Sequence, residues 1–242
     1  MDYQERLQGF LKKAKADFSF DSIAVRVLDP LGYIPYVAYD GLTSSFIEDE
    51  EILTTNDCVC GKVARLDALD NSPFFTKGGS FWSNYLKEDD IEELKKSGIE
   101  HRGRCLQEGY KTHLITPVKT GNGGGGVLYF ASKKENLLSE KDVYLLEDSV
   151  RMLGEDVFKQ MTECERYSIK THWIAQDNAN DPVRFGKYFE HIKNCPACHE
   201  FYHCNLEFDD VLGKFMAQPA PPLQELKSKI MGNLRSTNAM EQ

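Results

Sequence analysis

KTHLITPVKTGNGGGGVLYFA, residues 111–131, is the stretch on which the fold turns. Lys111 to Val118 is rich in β-branched residues and reads as a strand. Thr120, Gly121, Asn122 and the run Gly123 to Gly126 read as a turn. Val127-Leu128-Tyr129-Phe130-Ala131 is apolar throughout and reads as a buried strand. Downstream, Ser139 with Asp142 makes a capping box, and a long helix is expected over about residues 140–163. Its apolar positions, Val143, Leu146, Val150, Leu153, Val157 and Met161, step by three or four. That spacing serves either a face packed on its own sheet or the seam of a homodimer. Upstream, Leu7, Phe10, Leu11, Ala14 and Phe18 recur at helical spacing, so residues 3–18 read as an amphipathic helix. Residues 22–40 change period. Ile23, Val25 and Val27 alternate with Ala24 and Arg26, Asp29-Pro30-Leu31-Gly32 supplies a turn, and Tyr33 to Tyr39 is aromatic and β-branched, which is a hairpin signal. Short helices and loops are expected over residues 41–105.

Bulk properties narrow the function. The chain has 242 residues and a net charge of -9. Residues 1–163 carry 28 acidic against 20 basic side chains, and residues 164–242 are nearly balanced. An acidic body without a dense basic stripe repels phosphate backbones, so nucleic acid is not the expected partner. No apolar run reaches the roughly 20 residues that span a bilayer, and the polar start Met1-Asp2-Tyr3-Gln4-Glu5-Arg6 lacks the order of a signal peptide. A cytoplasmic location is expected. Seven cysteines in that compartment point to metal, redox or buried-thiol roles rather than disulfides. Phosphate-loop, nucleophile-elbow and His-Glu-x-x-His patterns are absent from the sequence, so no catalytic residue is assigned and a non-enzyme is expected.

The element order, together with Cys58-Val-Cys-Gly-Lys-Val-Ala, Pro73-Phe-Phe-Thr, Gly79-Ser-Phe-Trp-Ser-Asn, Arg104-Cys and Glu108-Gly-Tyr, resembles the GAF domains attached to bacterial and archaeal sensor kinases. The resemblance covers about residues 1–163. It implies an α+β fold, an antiparallel sheet with flanking helices and a pocket, in a sensory role. The sequence departs from those kinases in lacking a phosphorylation helix and ATP-binding segments. Within this domain, Cys58, Cys60 and Cys105 are candidate ligand-binding or redox thiols, with Trp82, Phe81, Phe74 and Phe75 as core or pocket aromatics. Gly61 permits a close backbone approach. Arg102 and Arg104 flank Cys105 and are expected to lower its pKa. His101 and His113 are further candidates for such a site.

The C-terminal third concentrates the remaining chemistry. His191, Cys195 and Cys198 are four and three residues apart and share one helical face. Three borderline-soft ligands converging there suit tetrahedral zinc. Pro196 is expected to open a new helical turn, with Cys195 at the break. The His-x3-Cys-x2-Cys spacing resembles the zinc-binding module of anti-sigma factors, and that resemblance implies a fourth ligand upstream, at Cys164. His172, His199, His203 and Cys204 are the alternatives for that position. The competing cofactors are haem, through Cys195-x-x-Cys198-His199, or an iron–sulfur cluster on thiolates such as those of Cys58, Cys60 and Cys105.

The domains read as a sensory unit over 1–163, a Cys/His helical module over 164–218, and a Pro-rich linker with a terminal helix over 219–242. The expected function is a non-catalytic sensor of a small ligand or redox state that signals through the zinc module to a protein partner such as a sigma factor, a kinase or another regulator. A redox protein and a DNA-binding regulator are the alternatives.

Overall fold

The computed structural model describes residues 3–29, 32–50, 53–67, 72–120, 123–158, 182–200 and 202–204. Its elements are α1 (Tyr3–Phe18), β1 (Ser22–Val27), β2 (Tyr36–Asp40), α2 (Ser44–Glu50), α3 (Val59–Ala64), β3 (Phe81–Ser83), α4 (Glu88–Lys96), α5 (Arg104–Gln107), β4 (Thr112–Thr120), β5 (Gly123–Ser132), α6 (Glu140–Leu153) and α7 (Pro182–Asn194). A π-helical turn, Gly154–Phe158, continues α6. The five strands form one sheet in the order β2-β1-β5-β4-β3, antiparallel at every pairing. This is the expected α+β class. Cys164, His172, Met161, the polar stretch near 176–181 and the terminal helix expected near 223–234 lie outside the described residues.

The fully apolar run in β5 has the consequence expected of it. Leu128 and Phe130 face one core, with Ile23, Val25, Leu114, Leu7, Leu11, Leu146 and Val150. Val127, Tyr129 and Ala131 face the other, with Ala24, Ile115, Phe46, Val59, Cys58, Cys60 and Cys105. Helices α1 and α6 therefore cover one face of the sheet, and α2, α3, α4 and α5 cover the second. Val143, Leu146, Val150, Leu153 and Val157 are all buried against the chain's own sheet. Their spacing thus serves intramolecular packing. Helix α6 begins as expected: the Ser139 hydroxyl accepts from the Asp142 N–H, and the Asp142 carboxylate accepts from the Ser139 N–H.

The glycine run departs from expectation. Residues 123–126 belong to β5 and pair with β4, Val118 opposite Gly126 and Thr120 opposite Gly123, so these glycines are strand and not turn. The reason is steric. Gly126 sits at φ +144, and a Cβ there would lie 2.1 Å from the Arg26 carbonyl oxygen. Only a glycine lets the strands approach at this point.

Gly61 is the second such position. A Cβ on it would meet the Thr55 carbonyl oxygen at 2.2 Å. The segment 53–57 lies against α3, and this contact sets how close Cys58 and Cys60 come to the sheet. Gly61→Ala is expected to lower stability by about 2–3 kcal/mol, the cost of forcing a methyl into packed backbone. A urea midpoint indistinguishable from that of the parent chain contradicts the close approach.

Candidate functional site

The face of the sheet opposite α1 and α6 carries a buried polar cluster. Arg26 alternates with Val25 and Val27 on β1, so its side chain enters this side, where it is 2% exposed. A buried guanidinium must have its donors satisfied. Arg26 donates to the Ile34 carbonyl at 2.7 Å and to the Glu50 carbonyl at 2.6 Å, and it lies 3.6 Å from the centre of the Tyr36 ring. Glu50, 3% exposed, pairs with Arg102 at 3.0 Å. Burial lifts the Glu50 carboxyl above the usual carboxylate range, and Arg102, Arg26 and Arg104 oppose that rise.

Cys58, Cys60 and Cys105 border this cluster, all buried and reduced. Cys58 precedes α3 and Cys60 is its second residue. The Cys60 thiol is hydrogen-bonded to Cys58 and holds the Cys58 thiolate, aided by the backbone at Arg102, so Cys58 falls below the ordinary thiol range despite burial. Cys60 rises in return, through that hydrogen bond and through burial. The shared hydrogen bond thus moves the two thiols in opposite directions. Cys105 contradicts expectation. Burial pushes its thiol up to about 12, with the charge of Cys58 adding to the rise. The cations expected to depress it are engaged elsewhere: Arg104 with Asp49 and Glu108, both at 2.8 Å, and Arg102 with Glu50. Adjacency in sequence did not become proximity of charge.

His101 and His113 are structural on this face. The His101 Nδ1 accepts from the Gly103 N–H at 3.0 Å, and the His113 Nε2 lies 3.3 Å from the Tyr110 carbonyl. Burial lowers His101 to about 4, with Lys95 adding to the shift, and burial lowers His113 to about 3, with His101 adding. Trp82 is separated from the thiols. It stands opposite Leu114 on β4 and packs against the α1/α6 core. There it lines a cleft of about 460 Å³ with Phe74, Phe75, Tyr144 and Glu147. Phe81 is fully buried core, and Phe74 and Phe75 pack against its ring.

The second constellation is in the C-terminal module. Helix α7 ends at Asn194, Cys195 is the break, and residues 196–200 resume the helix with Pro196 first. Hydrogen bonds from the Cys195 N–H to the His191 carbonyl and from the His199 N–H to the Cys195 carbonyl, each 2.9 Å, keep the helical hydrogen-bond spacing on either side of the break. Among the described residues, His191, Cys195 and Cys198 are the one group of such ligands whose donor atoms all lie within 4.8 Å of one another. His191 Nε2 and Cys198 Sγ are 3.2 Å apart. Two ligands of one tetrahedral zinc, at about 2.0–2.1 Å for nitrogen and about 2.3 Å for sulfur, stand roughly 3.5 Å apart, so the group fits such an ion. His199, His203 and Cys204 are exposed and outside the group. The cysteines of the sheet domain do not form such a group either.

The module touches the sheet domain. Tyr33, 7% exposed, packs with Ile192 and Cys198, and Phe189, Cys195 and Tyr202 border that contact. Tyr33 also bridges to Thr54, while Ile34 donates to Leu53 and Thr55 donates to Gly32. The segment reached from Tyr33 is thus the one that presses on Gly61 beside Cys60.

Sequence reasoning singled out the thiols and the Cys/His triad. It passed over Arg26, Tyr36, Glu50 and Tyr33. The signal available for Arg26 was a lone cation inside the apolar strand SIAVRV. Nothing local marks Tyr33.

No protein-family model matches the sequence, and no curated protein does. Solved structures similar to the chain include the GAF domain region of a Geobacter sulfurreducens PCA protein, with 20% identity, TM-score 0.46, and 63% of this chain and 91% of that chain covered. The GAF domain of an Acinetobacter phosphoenolpyruvate-protein phosphotransferase has 15% identity and TM-score 0.47, with 65% and 82% covered. Free methionine-R-sulfoxide reductase from Neisseria meningitidis has 12% identity and TM-score 0.48, with 65% and 78% covered. Likeness at this level is one of outline and carries nothing about activity. No helix among the described residues is long and apolar enough to cross a membrane.

Two outcomes follow from this geometry. Cys198→Ser removes a ligand of the triad and is expected to abolish stoichiometric metal binding while the sheet domain stays folded; unchanged metal content on elemental analysis refutes the ligand set. His101 and His113 are neutral when folded and take up a proton near the ordinary value of 6.5 when unfolded. The unfolded state therefore binds more protons below that value, and stability falls as pH drops from about 6.5 toward 4. The loss at pH 5 is on the order of 2 kcal/mol per histidine. Denaturant melts at pH 7.5 and pH 5 measure it, and His113→Gln is expected to reduce the difference.

Proposed function

We propose that the chain is a non-catalytic regulatory protein. Its sheet domain, of GAF type, reads a thiol-redox state or a small ligand on the face that carries Cys58, Cys60 and Cys105. Its Cys/His module holds zinc and presents the response to a protein partner. The observation that carries this reading is the contact of Tyr33 with Ile192 and Cys198. Through it the metal-ligand helix rests on the hairpin whose neighbouring segment, 53–57, packs against the thiol-bearing helix α3.

The chain's own residues supply the sensing chemistry. Cys58 is held as the readier thiolate by the hydrogen bond from Cys60 and by the backbone at Arg102. Arg26 and the pair Glu50–Arg102 keep the surroundings polar though buried. A change of charge or bonding at Cys58 alters the packing of α3 on Thr55, and Thr54 and Thr55 pass the displacement to Gly32 and Tyr33. A bound zinc ion would tie His191, Cys195 and Cys198 together and so contribute folding free energy to a segment with little core of its own. With Cys164 as a fourth ligand the set would be closed, which suits a structural rather than a catalytic ion.

Anaerobically purified protein is expected to be colourless and to carry about one zinc per chain. A Soret band moves the assignment to haem, and a broad visible band that bleaches on reduction moves it to an iron–sulfur cluster. The signalling step is tested by amide hydrogen exchange over residues 182–204 before and after oxidation by a hydroperoxide. Exchange is expected to rise in the parent chain and to stay unchanged in Cys58→Ser and in Tyr33→Ala. Equal rises in the parent and in Cys58→Ser overturn the role of that thiol.

A further inference from the structure

His199 and His203 are left over once the zinc triad is assigned. They lie outside the group formed by His191, Cys195 and Cys198, and both are exposed. His199 lies in the helical residues 196–200 and His203 in the helical residues 202–204, four positions on, the spacing at which helical side chains share a face. Their ring centroids are 4.4 Å apart, with the planes inclined at 50°.

We propose that His199 and His203 form a second, solvent-facing transition-metal site, suited to a divalent ion of tetragonal preference such as nickel or copper rather than to zinc. The argument is geometric. With metal–nitrogen bonds of about 2.0–2.1 Å and roughly 1.2 Å from nitrogen to ring centre, a bound imidazole centroid sits about 3.2 Å from the ion. Two such rings at a right angle stand about 4.5 Å apart, and two at the tetrahedral angle about 5.2 Å apart. The observed 4.4 Å matches the right-angled arrangement. Imidazole pairs with cis coordination are what square-planar or octahedral nickel and copper accept.

The turn that carries the pair is anchored. Cys198, immediately before His199, is buried in the contact with Tyr33 and Ile192. Tyr202, immediately before His203, meets Phe189 of α7 edge to face at 6.1 Å. Each histidine thus follows a side chain fixed in the small core of the module. A chelating pair on so anchored a turn needs little backbone ordering on binding. Among the described residues no third metal ligand groups with the pair, so the other coordination positions would take water or a donor from a partner surface.

The site is independent of the sensing role, and its test is built so that the two fail separately. Zinc-loaded, untagged full-length chain is titrated with nickel(II) by calorimetry under anaerobic conditions, with zinc and nickel then counted by elemental analysis. Nickel is used because thiols reduce copper(II). The expected result is one nickel bound per chain with zinc retained. Either His199→Ala or His203→Ala is expected to abolish that saturable binding and leave the zinc content unchanged. Glu200→Ala, on the same turn, is expected to change neither. Nickel binding that survives both histidine substitutions overturns the proposal, as does the absence of bound nickel. Loss of zinc in the histidine variants also overturns it, because the pair then belongs to the zinc site.

Discussion

Strand β5 is covered on both faces, and the rest of the molecule is arranged around that fact. A strand with Val127, Tyr129 and Ala131 on one side and Leu128 and Phe130 on the other has no face to give to water. It must lie between two strands and between two layers. The β1 and β4 pairings satisfy its backbone, α1 and α6 cover one side, and the short helices α2 to α5 cover the other. Gly126 is where this strand comes too close to Arg26 for any side chain to intervene, so the pairing also fixes where the Arg26 side chain emerges.

That side chain organises the second face. A cation withdrawn from water costs several kcal/mol unless its donors are satisfied. Arg26 meets this by binding the carbonyls of Ile34 and Glu50, and so draws the hairpin and the end of α2 to one point. The thiols are packed beside it. Their differing proton affinities follow from position alone. Cys58 gains a hydrogen bond from Cys60, Cys60 loses by giving it, and at Cys105 burial outweighs the hydrogen bond from Tyr129 and the charge of Arg26. Three chemically identical side chains thereby acquire separate capacities to react.

The Cys/His module works on a different principle. Among its described residues, the buried apolar contact is small: Ile192 and Cys198 against Tyr33, edged by Phe189 and Tyr202. Such a cluster supplies little hydrophobic free energy, and convergent metal ligands are the usual remedy for a segment of that kind. The docking on Tyr33 joins the two-layered core to a triad that could hold a metal, at one residue.

The sequence by itself determined the local matters. Helical and strand periodicity, the Ser139–Asp142 cap, the break at Pro196 and the spacing of His191, Cys195 and Cys198 are all written within a few residues, because backbone geometry repeats over that range. It misjudged the glycine run 123–126 as wholly a turn, since the close approach that demands Gly126 involves a strand some 100 residues away in sequence. Only the tertiary structure decided that Trp82 and the thiols occupy opposite faces, that Cys105 is raised rather than lowered, and that Tyr33 is the seat of the module. Burial, charge pairing and docking depend on what folding brings together across the chain. Arg104 beside Cys105 in sequence turns instead to Asp49, and no pattern of neighbours along the chain records that choice.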